Sequence, residues 1–109
     1  MKYQTRVHRS FAETVETVTD QLIRKKAGNA ITEQDDYCIN DVHIAIRLIE
    51  RFSKGLGERV AVQLTFIQDG EDVIIHALIT GYEGILFLHS PEGQNAYLKD
   101  LKEIIEGLE

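Results

Sequence analysis

Between Val42 and Thr80, apolar residues alternate with polar ones through three consecutive stretches joined by two short glycine-bearing turns. Successive side chains of a strand point to opposite faces, so a period of two dictates a meander of antiparallel strands with one face buried. Val42, Ile44, Ile46, Leu48 and Phe52 mark the core parity of the first stretch, Val60, Val62, Leu64 and Phe66 that of the second, and Val73, Ile75, Ala77 and Ile79 that of the third. Lys54 to Gly57 supplies one turn, and Asp69-Gly70 reads as a two-residue hairpin. This reading sets Leu48, Leu64 and Ile75 side by side at the centre of the core, because a one-residue slip would turn every core side chain to solvent.

The flanks complete an α+β domain. Tyr3, Thr5 and Val7 alternate as a short edge strand, and Ser10 with Glu13 has the spacing of a helix-capping box. Phe11, Val15, Val18 and Leu22 then form one helical stripe, with Gly28 as its stop. Ala30 to Ile39 reads as an outer strand wet by Glu33 to Asp36, and Asn40-Asp41 as the tight turn that follows it. Ile85 to Leu88 is a further short strand, and Tyr97, Leu98, Leu101, Ile104, Ile105 and Leu108 mark an amphipathic final helix. The expected architecture is an antiparallel meander of four to six strands, with both helices covering one face.

Composition narrows the function classes. A length of 109 residues suits a single domain spanning 1–109, and 43% hydrophobic with 28% charged residues is ordinary for a globular chain. A formal charge of -6 repels phosphate backbones and anionic lipid, so neither nucleic acid nor membrane is expected as a partner. Arg24, Lys25 and Lys26 read as a solvated helix end rather than an anion patch. One cysteine, Cys38, no apolar leader and no long apolar run point to a cytoplasmic protein without disulfides.

With the helices on one face, the other is expected to carry Ala45, Arg47, Ile49, Arg51, Ala61, Gln63, Thr65, Ile67, Ile74, His76, Leu78 and Thr80. Its mixture of aliphatic side chains with arginine resembles an interface between copies of the chain, with Arg47, Ile49, Arg51, Ile74, His76 and Leu78 as contacts. A solvated face and a sheet cupping a small ligand are the competing readings. The ligand reading uses the space between sheet and final helix, with Tyr37, Phe66 and Tyr97 near its mouth.

Candidate chemistry is sparse. Glu33, Asp35, Asp36 and Asp41 match no calcium loop, and the expected register turns Glu33 and Asp35 to the helix side while pairing Asp36 with Arg47 on the other. His8, His43, His76 and His89 lack zinc spacing, so no metal is expected. Cys38 and His43 face each other across the hairpin, an arrangement more often structural than nucleophilic. No glycine-rich phosphate loop or aromatic base-stacking platform is present in the sequence. No cofactor and no intrinsic active site are expected.

Asp41-Val42, Ala45-Ile46-Arg47, Glu50-Arg51-Phe52-Ser53 and the tail Leu98 to Glu106 resemble a family of small uncharacterised bacterial proteins, mostly from low-GC Gram-positive organisms, catalogued as a domain of unknown function. That resemblance implies no activity. A looser one, to helix-grip folds of the polyketide cyclase or lipid-transfer type, implies a ligand cavity, for which this shorter chain leaves little room.

Overall fold

The computed structural model describes residues 1–53, 58–82 and 92–108. In chain order the elements are β1 (Lys2–Val7), α1 (Phe11–Lys25), β2 (Asn29–Ile39), β3 (Val42–Ser53), β4 (Glu58–Asp69), β5 (Asp72–Tyr82) and α2 (Glu92–Glu106). The five strands form one antiparallel sheet in the order β1-β5-β4-β3-β2, with β1 at the expected edge. Residues 54–57 and the proposed strand Ile85 to Leu88 lie outside the described residues.

Turn chemistry sets much of this. Asn40 and Asp41 both adopt positive φ, 49° and 65°, the mirror-image turn geometry that the right-handed strand twist favours and that short Asx side chains tolerate. The next hairpin differs by one residue from the sequence reading: Asp69 pairs with Asp72, so Gly70 and Glu71 are its two turn residues, with Gly70 at φ +61°. Side-chain capping also differs, because the Ser10 hydroxyl donates to the Glu13 carboxylate at 3.3 Å rather than accepting from a helix amide. The helix nonetheless begins at Phe11 as the spacing predicts.

Both helices lie on one face of the sheet. Val15, Val18 and Leu22 of α1 and Tyr97, Leu101, Ile104 and Ile105 of α2 meet Val62, Leu64 and Phe66 of β4 and Val73, Ile75, Ala77 and Ile79 of β5, all buried. Gly81 permits the close approach of α2, since a Cβ there would stand 3.2 Å from the Arg59 carbonyl and 3.4 Å from Gln94.

The face of β3 is the main correction. Directly paired residues share a face, and Ala45 pairs with Phe66, Arg47 with Leu64, Ile49 with Val62 and Arg51 with Val60. Leu48 instead pairs with the exposed Gln63, so Leu48, Leu64 and Ile75 are not neighbours in the core. Leu64 stands opposite Ala77, and Ile75 opposite Phe66. The strand thus buries its arginine-bearing side and turns its more aliphatic side outward.

Partners from distant elements make that burial tolerable. Arg51, 9% exposed, donates from Nε to Asn29 Oδ1 at 2.8 Å and from Nη2 to Asp100 Oδ2 at 2.9 Å, with its guanidinium 4.2 Å above the Tyr97 ring. Asn29 in turn donates to the Leu22 carbonyl at 2.7 Å, tying down the end of α1. Arg47 pairs with Asp36 at 2.9 Å, as expected from the sequence, but on the helix side. A buried charge with satisfied partners costs far less than an isolated one.

At the β1 edge the His8 imidazole lies 2.7 Å from the Asp72 carboxylate, which also accepts from Arg6 at 3.1 Å. The hydrogen bond to Asp72, then its charge, raises the His8 pKa above 6.5, while His8 and then Arg6 hold Asp72 below 3.8. The histidine contribution is complete below its unfolded pKa and is lost as pH rises through the raised value; the aspartate contribution is present above its unfolded pKa and is lost as pH falls through the lowered one. An NMR titration is expected to give His8 a midpoint above 6.5 that returns toward it in Asp72→Asn; an unmoved midpoint in the variant would show that the pair does not form.

Candidate functional site

The open face of the sheet is built from the parity that the helices do not cover. Its central row runs Lys2, Leu78, Gln63, Leu48, Glu33 across β1, β5, β4, β3 and β2. The next rows are Gln4, His76, Thr65, Ile46, Asp35 and Arg6, Ile74, Ile67, Ile44, Tyr37. Ile44, Ile46, Leu48, Ile67, Ile74 and His76 are half-buried by their strand neighbours alone, and Leu78 is 41% exposed. At the hairpin end Tyr37, Ile39 and Val42 extend the apolar surface, 48%, 56% and 37% exposed.

Polar groups frame it. Arg6 is held by Asp69 at 2.7 Å and by Asp72, and the Tyr37 hydroxyl donates to Asp35 at 2.6 Å, which raises the phenol pKa. At the opposite end Glu50, 6% exposed, receives Arg59 and the Thr32 hydroxyl, the latter at 2.9 Å. Thr32 sits at a bulge in β2 between Ile31 and Glu33, which reverses the parity of the strand. Glu33 and Asp35 face outward, not toward the helices, because the hairpin register pairs them with the outward-facing Leu48 and Ile46, and no buried carboxylate pair arises from them.

Of the six expected interface residues, Ile74, His76 and Leu78 are brought together on the open face. Arg47, Ile49 and Arg51 lie on the helix side, with Ile49 fully buried, and Ile44, Ile46 and Leu48 occupy their place. One signal in the sequence could have found them. Four residues separate Ser53 from Glu58, and closing that turn on a Ser53–Glu58 pair sets Leu48 opposite Gln63 and Ile49 opposite Val62.

The expected ligand residues do not converge. Phe66 and Tyr97 are fully buried, whereas Tyr37 stands exposed on the β2–β3 hairpin. Tyr97 fills the space between sheet and α2: its ring carries Arg51, its hydroxyl donates to the Ile49 carbonyl at 3.4 Å, and burial drives its phenol pKa far upward, with Arg51 opposing and Asp100 adding. Cys38 is an exposed free thiol opposite His43, whose ring stacks 5.8 Å from Phe11. Among the described residues, no hydrogen bond joins Cys38 to His43, and no three His, Cys, Asp or Glu side chains converge as metal ligands. No helix among the described residues is long and apolar enough to cross a membrane.

A family model described as a family of unknown function, DUF6054, matches residues 1–109. No curated protein matches. Among solved structures, the chain is similar to PA94, a protein of unknown function from Pseudomonas aeruginosa, with a TM-score of 0.53 and 14% identity over 73% of this chain and 68% of that one. At that identity the likeness is one of fold.

Proposed function

Because the chain belongs to DUF6054, a family of unknown function, we propose its role from its own geometry: it is a small interaction module that pairs with a second copy of itself through the open face of the sheet. The observation that carries this reading is the palindromic order of the rows. A two-fold axis running along β4, the middle strand, lays each row on its own reverse. Lys2 then meets Glu33 of the second copy, Leu78 meets Leu48, and Gln63 meets Gln63; one row on, His76 meets Ile46 and Thr65 meets Thr65; beyond it Ile74 meets Ile44 and Ile67 meets Ile67.

Isologous contacts need this self-complementarity, and twisted sheets stack face to face within about 30° of alignment, which keeps the residues nearest the axis in register. Five strands ~4.8 Å apart and about seven residues at ~3.3 Å give each copy a face of roughly 500 Å². Two such faces bury roughly 1,000 Å², at the lower bound for a specific interface, so association at micromolar concentration is expected. A cytoplasmic setting goes with this reading, since the single cysteine is exposed and unbridged.

Ile67→Glu tests it. The substitution sets two carboxylates against each other on the axis while leaving the helix side untouched. Analytical ultracentrifugation at micromolar concentration should show a dimer for the natural chain and a monomer of unchanged circular dichroism for the variant. Equal masses for the two, whether both single or both double, would count decisively against this interface.

A further inference from the structure

A cleft of about 790 Å³ opens on the helix side, between α1 and the β2–β3 hairpin, away from the face proposed for pairing. It exists because the helix layer stops short of β2, where every residue from Ala30 to Ile39 is exposed. Phe11, Val15 and Ile23 of α1 form one wall, Ile31 and Ala45 line the sheet side, and Arg47 contributes a guanidinium among several polar side chains at the border. Its size and mainly apolar lining are those of a small-molecule site.

Arg47 gives the ligand its chemistry. Its side chain is only 13% exposed, and all its hydrogen bonds leave from Nη1: to Asp36 Oδ1 at 2.9 Å, the Ile46 carbonyl at 3.0 Å and the Asp35 carbonyl at 3.3 Å. Nε and Nη2 have no partner among the described residues, which leaves the two-nitrogen edge of a nearly buried guanidinium unused. A planar carboxylate satisfies that edge with two parallel hydrogen bonds. Thr19, 7% exposed, also lines the cleft, and among the described residues its Oγ1 is the fully buried side-chain polar atom without a partner. An occupant's second polar atom would be met there by rotation of one side-chain torsion.

We propose that the cleft binds a small amphipathic monocarboxylate, its apolar body along Phe11, Val15, Ile23 and Ile31 and its carboxylate on the Nε–Nη2 edge of Arg47. Single charge follows from the surroundings. Glu16, Asp20 and Asp36 also border the cleft; Asp20 is engaged by Arg24 at 3.3 Å and Asp36 by Arg47, so a monoanion meets limited repulsion whereas a phosphate dianion meets far more.

Titrations of the 15N-labelled chain with octanoate, octylammonium and octanol decide the matter. Octanoate should give saturable shifts confined to Phe11 through Ile23, Ile31, Ala45 and Arg47, and it should bind at least tenfold more tightly than either of the other two. Arg47→Met should weaken octanoate at least tenfold, its fold retained because the released Asp36 carboxylate is 64% exposed and hydrated. Ala12→Trp, at an exposed position on the cleft wall, should block binding with Arg47 intact. Equal affinity for the three head groups, octanoate binding unchanged in either variant, or no saturable shift at millimolar octanoate would each overturn the assignment.

Discussion

Ile49→Asp is expected to abolish folding, whereas Ile46→Asp, on the same strand, is expected to leave the domain folded and unable to pair. Ile49 is fully buried beside Val62 and Ile31. Removing it forfeits roughly 2–5 kcal/mol of burial and cavity energy, and an unpaired carboxylate in that setting costs several kcal/mol more. Their sum is comparable to the ~5–15 kcal/mol that holds a whole domain together. Ile46 is half-buried on the open face, where an aspartate stays hydrated in the free monomer. Circular dichroism with urea denaturation should find Ile49→Asp unfolded without denaturant. Ile46→Asp should unfold at a midpoint that no longer depends on protein concentration, because the stabilisation by mass action is gone. The reverse pattern, with Ile49→Asp folded and Ile46→Asp unfolded, would restore the face that alternation alone assigns to β3.

Arg51→Met should cost about 3 kcal/mol, the lower end of what breaking a buried ion pair usually costs. The change strands the Asp100 carboxylate, 16% exposed, and the Asn29 amide oxygen, and it removes the cation above the Tyr97 ring. Hydrophobic replacement of both charges is a different case, because nothing is then left buried and unpaired. Arg51→Met with Asp100→Leu should therefore recover a large part of the loss, giving a coupling of about 1 kcal/mol or more in a double-mutant cycle. Urea midpoints at constant slope measure all four chains. Additive losses would mean that Arg51 acts through its aliphatic stem, not through its charge.

Local rules read most of the architecture correctly. The early helix starts at Phe11 because its stripe begins there, β1 is an edge strand as its short alternation suggests, and Asn40-Asp41 makes the tight turn its left-handed tolerance allows. Each of these features is decided within a few residues. Both helices also settle on one side of the sheet, since β4 and β5 carry one continuous apolar face.

The bulge at Thr32 was less legible. Nothing around it signals an extra residue, yet it turns Ile31 to the helix side, opposite Ile49 and beside the cleft. Arg47 shows the same dependence on context: its pairing with Asp36 follows from hairpin register, but the unused edge of its guanidinium exists only because the helix layer ends short of β2.

By itself, then, the order of residues determined the class, the order of elements and the buried parity of β4 and β5, all consequences of short-range periodicity and turn geometry. Alternation alone could not decide which side of β3 is inside, because that strand is aliphatic on both. Asp100 and Tyr97 lie about fifty residues away from Arg51, and Asn29 about twenty; only when the chain brings them together does burying an arginine become cheaper than burying Ile46 and Leu48. The aliphatic side of β3 is thereby left outside, and the open face acquires the symmetry on which pairing would rest.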